Sequence, residues 1–295
     1  MQDRSNLATE MRLEASMNLD SMTIDQAVAV MNQQDVVAVE AVAAVRPAVA
    51  RAVELVADAF GSGGRLFYIG AGTSGRLGVL DASECPPTFR SDPEMVQGII
   101  AGGEAAMFRS QEGAEDQAQD GAAAVETKAV GAKDVVCGIA AGGTTPYVHG
   151  ALRRARELGA RTIFLTCVEG IENEPTVDVV IRPLTGAEVL TGSTRLKAGT
   201  ATKLILNQIT TLAMVQLGKV HQNLMVDLRC TNSKLWDRGA RNIATLTGLD
   251  PEQAMELLHR AEGHVKLALV MHRRKVTAQE AQRILDQAGE RLNRV

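Results

Sequence analysis

The spacing of apolar and polar positions changes character along the chain. Residues 1–22 are irregular and polar. Thr23 is followed three positions later by Gln26, the spacing of a capping box, and an Ala- and Val-rich helical pattern then runs to about Phe60. Pro47 interrupts this pattern, because a proline ring removes a backbone donor, and Gly61-Ser62-Gly63-Gly64 ends it. Short apolar runs follow at Arg65–Ile69, Met95–Ala101, Asp134–Ala140, Arg161–Thr166 and Val177–Ile181. Helical patterns separate most of them, over about Gly75–Ala82, Glu104–Lys128, Thr145–Leu158 and Lys197–Leu217. Continuous apolar strands alternating with helices predict an α/β fold, with a mostly parallel sheet covered on both faces.

The pattern shifts again near Asp237. Asp250-Pro251-Glu252 carries a capping aspartate with proline in the first turn, and Thr277 with Glu280 repeats the capping-box spacing. Three segments are therefore expected: an N-terminal arm and helices over 1–60, a ligand-binding core over 61–235, and a small helical bundle over 236–295.

Composition narrows the classes. Hydrophobic residues make up 45% of the 295 positions but aromatics only 3%, so aliphatic side chains must fill the core. A net charge of -4, one Trp and two Tyr supply neither the basic face nor the stacking platforms that nucleic acid requires. Cys85, Cys137, Cys167 and Cys230 stand far apart and read as reduced thiols, and the five histidines form no metal-ligand pattern. His149 follows the second glycine loop and is expected to cap or pack. The N-terminus is neither a signal peptide nor a membrane segment, and no apolar run approaches the ~18 residues of a membrane span. A cytoplasmic protein without metal or redox cofactor is expected.

Three loops carry the candidate chemistry. The first apolar run enters Gly70-Ala71-Gly72-Thr73-Ser74-Gly75. Glycines let the backbone approach a ligand, free N–H groups and the helix dipole favour phosphate, and Thr73 and Ser74 add hydroxyls. The same loop fits a dinucleotide fingerprint, but that needs an acid about 20 residues further on, after the next strand. Cys85-Pro86-Pro87 occupies that region, and Asp92 and Glu94 precede the strand. The third run ends in Gly142-Gly143-Thr144-Thr145, and Thr191-Gly192-Ser193-Thr194-Arg195 with Lys197 opens a later helix. Together the loops suit a ligand with several oxygens and at least one phosphate. Glu84 and Glu115 are the nearby carboxylates that stand out; spacing alone does not bring them together.

The run from Gly70 through Ser83-Glu84-Cys85-Pro86-Pro87-Thr88-Phe89 closely resembles the signature of N-acetylmuramic acid 6-phosphate etherases. Glu112-Gly113-Ala114-Glu115-Asp116, Thr191–Thr200 and Asn223-Leu224-Met225-Val226-Asp227 extend the resemblance, which runs from about Leu7 to the C-terminus. It implies a sugar isomerase (SIS) fold, a three-layer α/β/α sandwich with a small C-terminal helical bundle similar to ubiquitin-associated domains, and a homodimer. It implies a phosphorylated amino sugar as substrate, cleavage of its D-lactyl ether, Glu84 as proton donor and Glu115 as the second catalytic glutamate. Gly72, Thr73, Ser74, Gly75, Ser83, Gly142, Gly143, Thr144, Thr145, Ser193, Thr194 and Lys197 are the corresponding substrate-binding candidates.

Two stretches depart from the family pattern. Ala141-Gly142-Gly143-Thr144-Thr145-Pro146 stands where Ala-Ser-Gly-Arg-Thr-Pro is common, so a hydroxyl and a cation are missing. Glu10-Met11-Arg12-Leu13-Glu14 replaces Glu-Gln-Arg-Asn-Pro. The competing reading is a non-catalytic sugar-phosphate sensor similar to the glucokinase regulatory protein, which needs the loops but not both glutamates. An aldose–ketose isomerase on the same fold is the third.

Overall fold

The computed structural model describes residues 7–227, 230 and 232–295; residues 1–6 of the expected arm lie outside the described residues. Thr23 and Gln26 form the capping box that their spacing predicts, and α1 spans Ile24–Ala44. The expected long helix is two helices. The break falls at Val45, and Pro47 sits in the first turn of α2 (Arg46–Gly61), where a missing N–H leaves no bond unmade.

Five strands form one parallel sheet: β1 (Leu66–Gly70), β2 (Val96–Ile100), β3 (Val135–Ile139), β4 (Arg161–Leu165) and β5 (Val179–Ile181), in the order β2-β1-β3-β4-β5. Alternation along β1 assigns its side chains to opposite faces. Phe67 and Ile69 pack with Val125 of α5 (Ala118–Thr127) and with Val148, Ala151 and Leu152 of α6 (Pro146–Glu157). Tyr68 faces α3 (Gly72–Phe89) and α7 (Lys197–Gln216): a Cβ on Gly78 would stand 2.7 Å from Tyr68 Cβ, and the Tyr68 hydroxyl oxygen lies 3.4 Å from Leu206 O. Helices on both faces make the expected three layers. Each fully buried side chain such as Phe67, Ile69 or Leu152 contributes about 1.5–3 kcal/mol.

Two helices differ from the sequence expectation. Helix α3 starts at Gly72 rather than Gly75 and continues through Pro86 and Pro87. The stretch predicted as one helix over Glu104–Lys128 is α4 (Ala105–Phe108), a 3-10 turn (Ala114–Asp116) and α5. Gly113, at φ 74°, adopts the left-handed conformation that interrupts a helix here.

Helices α5 and α6 meet through glycines. A Cβ on Gly121 would lie 1.9 Å from Tyr147 O, and one on Gly150 would lie 1.9 Å from Ala118 O. Backbone cannot retreat from such an overlap without separating the helices. Gly150→Ala is therefore expected to cost at least about 1–3 kcal/mol, read as a lower urea midpoint at unchanged slope.

The chain forms two compact units, Met1–Ser83 with Glu94–Thr210, and Glu84–Pro93 with Thr211–Val295. The second holds the hairpin β6 (Val220–His221) and β7 (Leu224–Met225) and four helices: α8 (Ser233–Thr247), α9 (Pro251–Arg260), α10 (Val265–Arg274) and α11 (Ala278–Gln287). Helix α8 begins earlier than the composition shift at Asp237, because Asn232 caps it by accepting from Leu235 N at 3.0 Å. Asp250 caps α9, and Thr277 with Glu280 forms the second capping box. Ile243, Leu258, Val265, Leu269 and Leu285 fill this unit's core.

Candidate active site

The order β2-β1-β3-β4-β5 reverses direction between β1 and β3, and ligands of doubly wound sheets bind outside the carboxyl ends of the strands at such a point. Here these ends lead into the first two glycine loops. Gly70 and Gly75 close the first turn tightly: a Cβ on Gly70 would reach 2.8 Å from Gly75 N, and one on Gly75 would reach 2.6 Å from Ile100 Cγ1. Gly72 has φ 51° with open space around it. Thr73, Ser74 and Gly75 occupy the first turn of α3, where N–H groups precede the intrahelical ladder. Thr73 and Ser74 are half-buried.

Gly143 shapes the second loop with φ 77°, and a Cβ there would meet Val168 Cγ2 at 2.9 Å. His149 holds this loop from below: its Nε2 donates to Gly143 O at 2.6 Å and its ring meets Phe164 edge-on. Burial lowers the His149 pKa, and the bond to Gly143 opposes that shift. The packing role expected of His149 is the one it has. Gly142, Thr144 and Thr145 stay half-buried; Thr145 N-caps α6 by backbone position, and its hydroxyl makes no capping bond.

The third cluster is closed by a residue that spacing did not single out. Glu188, fully buried, accepts from Lys197 N at 3.0 Å and Ala198 N at 2.9 Å. Its carboxylate occupies the start of α7, so that helix end is already satisfied by the protein. Lys197 is buried and donates from Nζ to Gln34 Oε1 of α1 at 2.6 Å. Burial lowers the Lys197 pKa, while the charge of Glu188 raises it. Ser193 and Thr194 remain half-buried. A side chain on Gly199 would meet Thr73 Cγ2 at 3.6 Å, so the first loop and the start of α7 adjoin.

The N-terminal arm enters the same region. Thr9 O accepts from Gly192 N at 3.2 Å, and Thr9 Oγ1 lies 3.8 Å from the Cβ position of Gly142. Thr9 is fully buried, and its hydroxyl has no hydrogen-bond partner among the described residues. No sequence signal marks Thr9; the register of the arm against two loops places it.

Glu115 is exposed and lines a cleft of about 280 Å³ together with Gly72, Arg76, Ser110 and Glu112. The structure thus joins one predicted carboxylate to the first loop. Arg76 orders the intervening segment, donating from Nε to Ala106 O and Met107 O at 3.1 and 3.0 Å and from Nη2 to Ala106 O at 2.8 Å.

Glu84 is exposed on α3, within the stretch Glu84–Pro93 of the second unit. Ser83, one residue earlier, is exposed and its Oγ donates to Leu80 O at 2.8 Å. One turn before Glu84, the buried Asp81 accepts from Tyr68 OH and Thr210 Oγ1, both at 3.0 Å, and from Asn207 Nδ2 at 2.6 Å. Burial raises the Asp81 pKa, and these three bonds and Lys203 oppose that shift. The bonds lock α3 against β1 and α7. Hydrogen bonds of this kind, to a carboxylate, contribute about 1.5–3 kcal/mol each when both partners are present.

Cys137 and Cys167 are buried thiols, and burial pushes both up to about 12. No helix among the described residues is long and apolar enough to cross a membrane.

Residues 48–156 match the family described as the glucokinase regulatory protein N-terminal SIS domain. The chain is 53% identical over 286 residues to the N-acetylmuramic acid 6-phosphate etherase of Crocosphaera subtropica, covering 97% of this chain and 94% of that protein. It is 53% identical over 292 residues to the etherase of a Synechocystis species, covering 99% and 96% of the two chains. Identity to the etherase of a Nostoc species is 55% over 272 residues, covering 92% and 89%. Similarity at this level and over this length, together with a doubly wound sheet whose glycine loops face the switch point, shows that the chain belongs to the N-acetylmuramic acid 6-phosphate etherase family.

Proposed function

We propose that the protein cleaves the D-lactyl ether of N-acetylmuramate 6-phosphate, giving N-acetylglucosamine 6-phosphate and D-lactate. The observation that carries this reading is the 53% identity to a curated etherase over 97% of the chain. The cleft shared by Gly72 and Glu115 supports its chemistry.

An alkyl ether is a poor leaving group, but the open-chain sugar has an aldehyde at C1 that acidifies the C2 proton. The lactyl ether at C3 is then β to the carbonyl. Glu115 removes the C2 proton, Glu84 protonates the ether oxygen, and the C3–O bond breaks with formation of a C2–C3 double bond. Water then adds at C3. The first loop and Thr144, Thr145, Ser193 and Thr194 hold the phosphate and hydroxyl groups. Lys197 acts by fixing the start of α7 through Gln34.

A phosphate ester confines such a substrate to the compartment that makes it, so we place the protein in the cytoplasm. A homodimer is supported by α1, which exposes Ile24, Val28, Met31 and Val39 along one face. Incubation of the purified protein with N-acetylmuramate 6-phosphate is expected to release D-lactate. Tight binding of the sugar phosphate with no lactate would turn the assignment toward a sensor.

A further inference from the structure

The cleft containing Glu115 holds two carboxylates, Glu112 and Glu115; among the described residues that line it, Arg76 is the sole cation. We propose that Arg76 reads the carboxylate of the lactyl group and so sets the preference of this site for an anionic ether. The inference rests on the etherase reading and on Glu115 as the base at C2. The lactyl ether is attached at C3, bonded directly to C2, and its carboxylate lies just beyond the ether oxygen and one carbon. The phosphate sits at the far end of the sugar, on C6. A cation sharing this cleft with the C2 base therefore meets the lactyl carboxylate, and the phosphate falls to Thr73, Ser74, Thr144, Thr145, Ser193 and Thr194, none of which lines the cleft.

The guanidinium is already oriented for this task. Its Nε and Nη2 donate to the carbonyls of Ala106 and Met107, which fixes the plane of the group. Nη1 has no partner among the described residues, so the outer edge, Nη1 with the second proton of Nη2, is left to a ligand. A planar guanidinium matches a carboxylate with two parallel N–H···O bonds, and an orientation set in advance reduces the entropy lost on binding. The incoming carboxylate otherwise enters beside Glu112 and Glu115, where an uncompensated third negative charge is repelled. D-lactate keeps this charge as it leaves, so Arg76 neutralises substrate and departing product alike.

The test uses the full-length protein and two substrates: N-acetylmuramate 6-phosphate, and the same amino sugar 6-phosphate with an uncharged ethyl ether at C3. Release of D-lactate and of ethanol gives kcat/KM for each. Arg76→Gln is expected to lower kcat/KM for the lactyl ether by ~100-fold and for the ethyl ether by less than ~3-fold, the range set by one charge-assisted contact. Arg76→Lys should recover part of the lactyl activity and leave the ethyl ether unimproved. Equal losses on both ethers would mean that Arg76 only holds the Ala106–Met107 segment, and would overturn the assignment alone. So would an undiminished lactyl activity. No lactate release by the unsubstituted protein would overturn the etherase reading and this inference with it.

Discussion

Glu84→Gln lowers D-lactate release from N-acetylmuramate 6-phosphate by about 10²–10⁴-fold, the usual contribution of a general acid, while binding of the sugar phosphate persists. Glutamine keeps the shape of the side chain but has no carboxyl proton to give the departing ether oxygen. Glu84 is exposed, so the substitution leaves stability within about 0.5 kcal/mol. The backbone under it is held on both sides. Asp81, one turn earlier, is tied to Tyr68, Asn207 and Thr210, and Pro86 and Pro87 stiffen the turn that follows. Isothermal titration with N-acetylglucosamine 6-phosphate separates binding from turnover. Retention of full lactate release by the variant would remove Glu84 from the reaction.

Glu115→Gln is expected to reduce lactate release by a similar factor, about 10²–10⁴-fold, but through a different step. With the base gone, no carbanion forms at C2. Deuterium from solvent should therefore stop appearing at C2 of N-acetylglucosamine 6-phosphate, as read by proton NMR in D₂O. The Glu84 variant keeps its base and should still exchange that proton. Exchange that survives in Glu115→Gln and disappears in Glu84→Gln would reverse the two roles. Exchange in neither the variants nor the native protein would exclude elimination.

Much of the architecture is legible in the sequence because it rests on local rules. The capping boxes at Thr23 and Thr277 and the Asp250-Pro251 helix start depend on residues within one turn of each other, and all three form. The five apolar runs are continuous because both faces of a parallel sheet are covered, and each overlaps a strand. The structure departs from the local pattern where a distant contact overrides a local preference. Pro86 and Pro87 argue for the end of a helix, yet α3 passes through them after its Gly78 packs against Tyr68 of β1 and its Val79 against Gly98 of β2. Gly113 lies within a helical pattern, but it turns the chain so that Glu115 faces the cleft.

The sequence by itself determined the strand and helix alternation, the glycine loops at strand ends and the two carboxylates, since each is written in adjacent residues or in one long motif. Only the tertiary structure decided which polar side chains the protein itself engages. Glu188 satisfies the start of α7, Lys197 donates to Gln34, His149 satisfies Gly143, and Asp81 gathers three donors. Arg76, which lies inside the Gly70–Phe89 run and carries no signal of its own there, becomes the cation of the Glu115 cleft. The reason is physical: a buried polar group must find a partner, and that partner is chosen by packing between segments far apart in the chain.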